Sequence, residues 1–313
     1  MEKTPNLVLR KILLLTISVS AAFFTATVSC AFAQTTLSQD NESKASALLE
    51  KHAALEPQLT QNQYRRPLFL ESMETADTVS STVYAVLDSP FSTISATFKK
   101  PDHWCEVLIL HLNTKYCQAN TAPASSSRLT VNIGKKTPQS LAEASLLDFS
   151  YRVTASAPNY LAVQLHAEKG PLNTSNYQIV LQAVPLSEGK TFINLRYSYG
   201  YGLTGRLAMQ AYLSTMGRGK IGFTKIASDP KSGYVGGMLG AVERNTMRYY
   251  LAIEAYLKSL KQPSSQQFNS RLQYWFDATE EYSKQLHEVD RSDYLAMKKA
   301  EYQRQQAVTA TVE

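Results

Sequence analysis

The signatures of common catalytic and nucleotide-binding sites are missing from this 313-residue sequence. None of its five histidines, at 52, 103, 111, 166 and 287, forms an HExxH pair. No serine occupies a G-x-S-x-G elbow, and Ser-x-x-Lys occurs only at Ser187 and Ser228, in predicted turns. Gly233, Gly236, Gly237 and Gly240 have neither dinucleotide nor Walker spacing, so they read as a flexible hairpin strand. Cysteine is scarce, three residues in all. Tetrahedral zinc needs three or four close ligands, and Cys105 and Cys117 have only His103 and His111 near them. No metal and no cofactor is called for. The 32 basic and 26 acidic residues interleave from end to end, which argues against nucleic acid as a partner, since a binder concentrates its bases on one face. Beyond residue 28 no run approaches the roughly 18 apolar residues of a membrane span. There is no internal repeat and no sustained heptad.

What is present begins with a leader. Lys3, Arg10 and Lys11 precede an apolar run from Ile12 to Val28, and Ala31-Phe32-Ala33 follows, which is the pattern of a secretory signal peptide over 1–33 with cleavage near Ala33-Gln34. Cys30, preceded by Thr27-Val28-Ser29, fits a lipidated cysteine less well. The expected location is periplasmic or secreted. Removing 33 of 313 residues leaves 280, with 29 bases and 25 acids once Glu2 and the three leading bases are gone, a net charge of +4. Cys105 and Cys117 then form an even pair in an oxidising compartment. Joined, they would close an 11-residue loop and contribute roughly 2 to 3 kcal/mol. Two free thiols or a redox pair are the alternatives.

Hydrophobic spacing divides the mature chain. Ala47, Leu48, Leu55 and Leu59 predict an amphipathic lead-in helix within 34–67. Residues Leu68 to Leu87 read as one long strand ending at Asp88-Ser89-Pro90, and two helices follow, the second opened by Pro101. Five strands with period two come next, around residues 129–133, 149–153, 161–167, 177–183 and 193–201. Short turn formers such as Lys169-Gly170-Pro171 and Ser187-Glu188-Gly189-Lys190 separate them, as in an antiparallel meander. Their polar faces, with Gln164, His166, Gln178, Gln182, Asn194 and Arg196, are expected to meet water. Two helices are expected to cover the apolar face: one from near Leu203 with Met209, Tyr212, Leu213 and Met216, and a longer one with Val242, Thr246, Tyr249, Ile253, Tyr256 and Leu260. A hairpin over 217–240 lies between them. Over 261–313 the chain is helical again, and the stripe Phe268, Leu272, Trp275, Tyr282 and Leu286 is expected to dock or to dimerise.

This order, from Leu68 to Leu260, resembles the helix-grip fold of the START-related superfamily, which includes birch pollen allergens, steroidogenic lipid-transfer domains and polyketide cyclases. The resemblance rests on Val83-Tyr84-Ala85-Val86-Leu87-Asp88-Ser89-Pro90-Phe91 entering the helix pair, on Trp104 and Cys105 where the pair turns, and on Phe192 to Tyr201 leading into the long helix. It implies an α+β fold in which a curved antiparallel sheet wraps a long C-terminal helix, here with helical extensions at both ends and an inserted hairpin. In a chain with a leader it implies a periplasmic bacterial member that carries an apolar or amphipathic small molecule such as a lipid, sterol or hopanoid. Transient contact with a membrane surface, and a protein partner through 264–302, are further expectations.

Cavity candidates follow from that reading: Tyr197, Tyr199 and Tyr201 on one strand face, Arg196 at its polar side, Arg244, Met247 and Tyr250 on the long helix, and Tyr84 and Trp104 near the mouth. A phenol joins an apolar body to a polar tip. A guanidinium can hold a carboxylate or phosphate by two bonds. Each has a plainer alternative, a packed tyrosine ladder or solvated and ion-paired arginines. A cyclase or hydrolase in the same cavity would need a buried His, Asp or Glu facing inward, and an envelope assembly protein would act through the C-terminal helices.

Overall fold

Alternating apolar side chains build one antiparallel sheet around a buried helix. The computed structural model describes residues 39–120, 127–215, 217–226 and 233–309. The expected leader, its cleavage point, Cys30, Met216 and the tip of the expected hairpin lie outside them. The chain opens with α1 (39–60), then β1 (Leu68–Glu74), β2 (Thr78–Leu87), α2 (Phe91–Phe98) and α3 (Pro101–Leu108). Six strands follow: β3 (Thr114–Asn120), β4 (Arg128–Ile133), β5 (Ser145–Ala157), β6 (Tyr160–Lys169), β7 (Thr174–Pro185) and β8 (Thr191–Tyr201). The helices α4 (Leu203–Thr215), α5 (Gly237–Ser259), α6 (Ser264–Glu280), α7 (Ser283–Leu286) and α8 (Arg291–Thr309) complete it. The strand order is β1-β2-β8-β7-β6-β5-β4-β3, every pairing is antiparallel, and α5 packs against β1, β2, β8 and α3. That is the α+β helix-grip arrangement. Among the described residues no helix is long and apolar enough to cross a membrane.

The five expected strands are β4 to β8, and their period places Ile193, Leu195, Tyr197 and Tyr199 inward with Asn194, Arg196 and Ser198 on the other face. The segment from Leu68 to Leu87 is a hairpin and not one strand, with Leu68 opposite Ala85 and Glu74 opposite Val79. Its turn contains neither glycine nor proline. Thr75 closes it instead, its hydroxyl accepting from the Thr78 amide at 3.1 Å while its own amide donates to the Thr78 carbonyl at 2.8 Å.

Strand β3 was not expected. It is an edge strand, and its alternation is hidden because Lys115 is fully buried. The Lys115 ammonium donates to Glu301 Oε1 on α8 at 3.0 Å, and Lys298 donates to Glu301 Oε2 at 2.8 Å. Lys298 also reaches the carbonyls of His111 and Thr114, and Gln305 accepts from the Cys117 amide at 3.1 Å. Helix α8 thereby covers an edge that would otherwise stand open. The expected disulfide Cys105–Cys117 ties α3 to β3.

Two helices depart from their expected roles. α4 covers the sheet only in part: Met209 and Leu213 pack against the core as expected, but Leu203 and Leu207 are 76% and 59% exposed, and Gly205 is the one residue of the helix that is buried. Gly205 approaches so closely that a Cβ there would lie 2.7 Å from the Asn173 carbonyl oxygen. The outer sheet face, expected to be wet, is partly dry. Ala45, Leu48, Leu55 and Leu59 of α1 pack on it with Tyr84, Tyr160, Val184 and Phe192. The C-terminal stripe docks on its own chain, with Leu272, Trp275, Leu286, Tyr294 and Met297 in the same core as the sheet.

Candidate functional site

A cavity of about 170 Å³ lies between the inner face of the sheet and α5. Its sheet wall is Val131 and Ile133 from β4, Leu147 and Phe149 from β5, Tyr177 and Ile179 from β7, and Tyr197 and Tyr199 from β8. The opposite wall is one face of α5. Ala241, Arg244, Asn245, Arg248 and Tyr249 recur there at helical spacing. His111, just beyond α3, closes one side, and Met209 and Tyr212 of α4 lie across another.

The tyrosines pack on one another. Tyr177 stacks on Tyr199 with centroids 5.2 Å apart, and Tyr197 meets Tyr249 edge-on at 5.3 Å. Burial pushes the phenols of Tyr177 and Tyr197 up, Tyr177 to about 12, so they stay neutral near neutral pH.

His111 is the most informative side chain in the cavity. It is 3% exposed, and its ring lies against Tyr249 at 5.0 Å. Nδ1 accepts a hydrogen bond from the Asn113 amide at 3.1 Å, which leaves the proton of a neutral ring on Nε2. That Nε2 lacks a well-formed hydrogen bond among the described residues, although the Asn245 side chain stands beside it and beside the Tyr197 phenol. Burial first, then the charges of Arg248, Lys298 and Lys136, hold the imidazole well below its usual range. Near neutral pH His111 therefore offers the cavity a hydrogen-bond donor and not a base.

Cations gather on the same side. Arg248 donates to the Leu286 carbonyl at 3.3 Å and to Glu288 at 2.9 Å, while its Nε has no partner among the described residues. Arg244 donates to the Ile221 carbonyl at 3.1 Å. Lys136 and Lys220 also bind Glu288. The neighbouring Glu243 is fully buried and occupied by Ser72, by the amides of Phe223 and Thr224, and by the Thr224 hydroxyl. Gly222 makes room for that carboxylate, since a Cβ there would collide with it.

Of the residues proposed from sequence, Tyr197, Tyr199 and Arg244 line this cavity, and the others do not. Tyr84 is on the outer face under α1, where Lys51 stands over its ring, and Arg196 is on the polar outer face. Trp104 is spent in the core, its indole N–H donating to the Phe98 carbonyl at 3.1 Å. Tyr201 donates to the Thr75 carbonyl and pins the β1–β2 turn, and Tyr250 donates to Glu254 on the far side of α5. Met247 is buried in the core without facing the cavity. Sequence reasoning did not assign Lys136, Asn245 or Glu288 to the site, and they carry no local signal. Arg244 and Arg248, one turn apart on α5, do carry such a signal. A larger groove of about 460 Å³ beside α6 is less suited to an apolar molecule, because Arg66, Glu254 and Glu281 on its walls pair with each other.

No family model and no curated protein matches the chain. Among solved structures it is similar to human StAR-related lipid transfer protein 5, with 11% identity, a TM-score of 0.35, and 71% of this chain against 100% of that one covered. It is also similar to a START superfamily protein from Mycobacterium smegmatis, at 12% identity, TM-score 0.37, covering 59% and 100%. Norcoclaurine synthase from Thalictrum flavum shows 10% identity and a TM-score of 0.32, covering 48% and 82%. These likenesses concern fold alone. The helix-grip assignment stands on the strand order and on α5.

Proposed function

We propose that this chain is a periplasmic or secreted binding or carrier protein that encloses an apolar or amphipathic small molecule between its sheet and α5. The observation that supports this reading is the cavity, an apolar sheet wall facing a few buried polar groups that have spare hydrogen-bonding capacity. Its volume of about 170 Å³ is below the roughly 300 Å³ where sites for drug-sized ligands begin. A lipid-sized molecule would therefore enter only with α4 displaced, and α4 is lightly held. Native mass spectrometry and organic extraction of the purified mature protein test the proposal. A small apolar molecule at near-stoichiometric level is the expected result; absence of such a molecule, together with no binding from a lipid panel, would overturn it.

A cyclase- or hydrolase-type enzyme is the second reading, favoured by a buried imidazole in the cavity. The His111 tautomer supports a hydrogen-bonding role over that of a general base.

A further inference from the structure

We infer that the molecule held in the cavity is an amphiphile with an anionic head, a carboxylate or phosphate, bound by Arg244, Arg248 and the Nε2–H of His111. This deepens the carrier proposal and rests on it. The first ground is charge. Lys136, Lys220 and Arg248 share Glu288, with the Lys136 and Lys220 side chains 21% and 29% exposed, whereas Arg244, 5% exposed, forms no salt bridge among the described residues and donates to the Ile221 carbonyl. An uncompensated charge held out of water is costly, and a bound anion relieves that cost.

The second ground is unused donors. Arg248 and His111 are 2% and 3% exposed, yet Arg248 Nε has no partner and His111 Nε2 lacks a well-formed one. Buried donors in folded proteins are normally satisfied. Both residues line the same cavity, so one ligand head can meet both side chains. Guanidinium groups suit the planar fork of a carboxylate or the oxygens of a phosphate. The third ground is what faces the cations across the cavity: Val131, Ile133, Leu147, Phe149 and Ile179 offer a chain no polar partner. A free anion would leave that wall without a function, and a neutral molecule would leave Arg244 without a counter-charge.

The test is isothermal titration calorimetry on the full mature chain with decanoate, decyl phosphate, decanol and inorganic phosphate. At least one of the two anionic amphiphiles should bind roughly tenfold or more tightly than decanol, as a charge-assisted bond predicts, and inorganic phosphate should not bind measurably. Arg244→Gln should narrow the gap by weakening the anionic ligand more than it weakens decanol. The comparison of ligands on the unaltered protein needs no variant to fold. Equal binding of decanol and both anionic amphiphiles would overturn the inference and leave the carrier proposal standing. Inorganic phosphate binding as tightly as decyl phosphate would overturn the amphiphile. No binding by any of the four, with nothing apolar co-purifying, would remove the inference and the carrier proposal together.

Discussion

Glu288 shows how much one side chain can decide. Burial alone would raise its pKa, but the charges of Arg248 and Lys136 and hydrogen bonds from Lys136 and Lys220 outweigh that and hold it at about 2. A carboxyl depressed from its ordinary 4.5 contributes stability that is complete above 4.5 and is lost as pH falls toward 2. His111 acts earlier in the same direction. It is kept neutral in the fold, so stability declines once pH drops below its ordinary 6.5, where only the unfolded chain takes up the proton. Lys136 and Lys298, lowered mainly by burial to about 8, act on the alkaline side: folding penalises their charged forms, so their contribution improves from about pH 8 toward 10.5. Glu288→Gln should cost roughly 3 to 5 kcal/mol near neutral pH, because it strands buried cations, and should flatten the stability profile between pH 4.5 and 2. Chemical denaturation of both proteins across pH 2 to 9 measures this. A variant that loses stability in parallel with the parent below pH 4.5 would refute the assignment.

Among the elements, β3 and α8 are joined through buried polar atoms. Glu301 is the shared carboxylate of two buried ammonium groups. Glu301→Gln should lower stability by roughly 3 to 5 kcal/mol and should expose β3 amides, which hydrogen exchange would detect as lost protection at Tyr116 to Ala119. Retained protection would mean that apolar packing alone holds the edge. Opening Cys105–Cys117, by reduction or by Cys→Ser at both positions, should cost roughly 2 to 3 kcal/mol and show as a lower Tm. The same elements explain what could be read in advance. Strands β4 to β8 were legible because alternation is a local consequence of having one face inward. The β1–β2 turn was not, since Thr75 makes it by side-chain bonding without glycine or proline. Strand β3 was not, because its inward Lys115 finds its counter-ion 186 residues away. In the site, tyrosines on a strand and Arg244 on the long helix were visible, whereas Asn245 and Glu288 join it only through contacts with distant residues.

At the scale of the whole molecule, the helix-grip core is not self-sufficient. α1 covers outer residues such as Tyr160 and Phe192, and the C-terminal helices supply Leu272, Trp275 and Tyr294, each at most 1% exposed. Deleting 264–309 should therefore yield an aggregating or molten chain and not a soluble carrier with a missing tail. Circular dichroism and dye binding to exposed apolar surface would check it, and a cooperative two-state unfolding curve for the shortened chain would count against it. This docking also accounts for the apolar stripe that a protein partner would otherwise have used.

The cover on β3 also has a consequence for how the molecule is made. The disulfide partners are 12 positions apart and can meet as soon as both emerge, but Lys115 must wait for Glu301, 186 residues later. If the chain is exported N-terminus first, as proposed, β3 stays uncovered in the oxidising compartment until α8 arrives, a period when strand edges recruit other chains. In this order of assembly the early crosslink acts as a temporary clamp on the margin that the last described helix finally closes. A chain lacking it should fold in lower yield than its reduced melting temperature alone would produce.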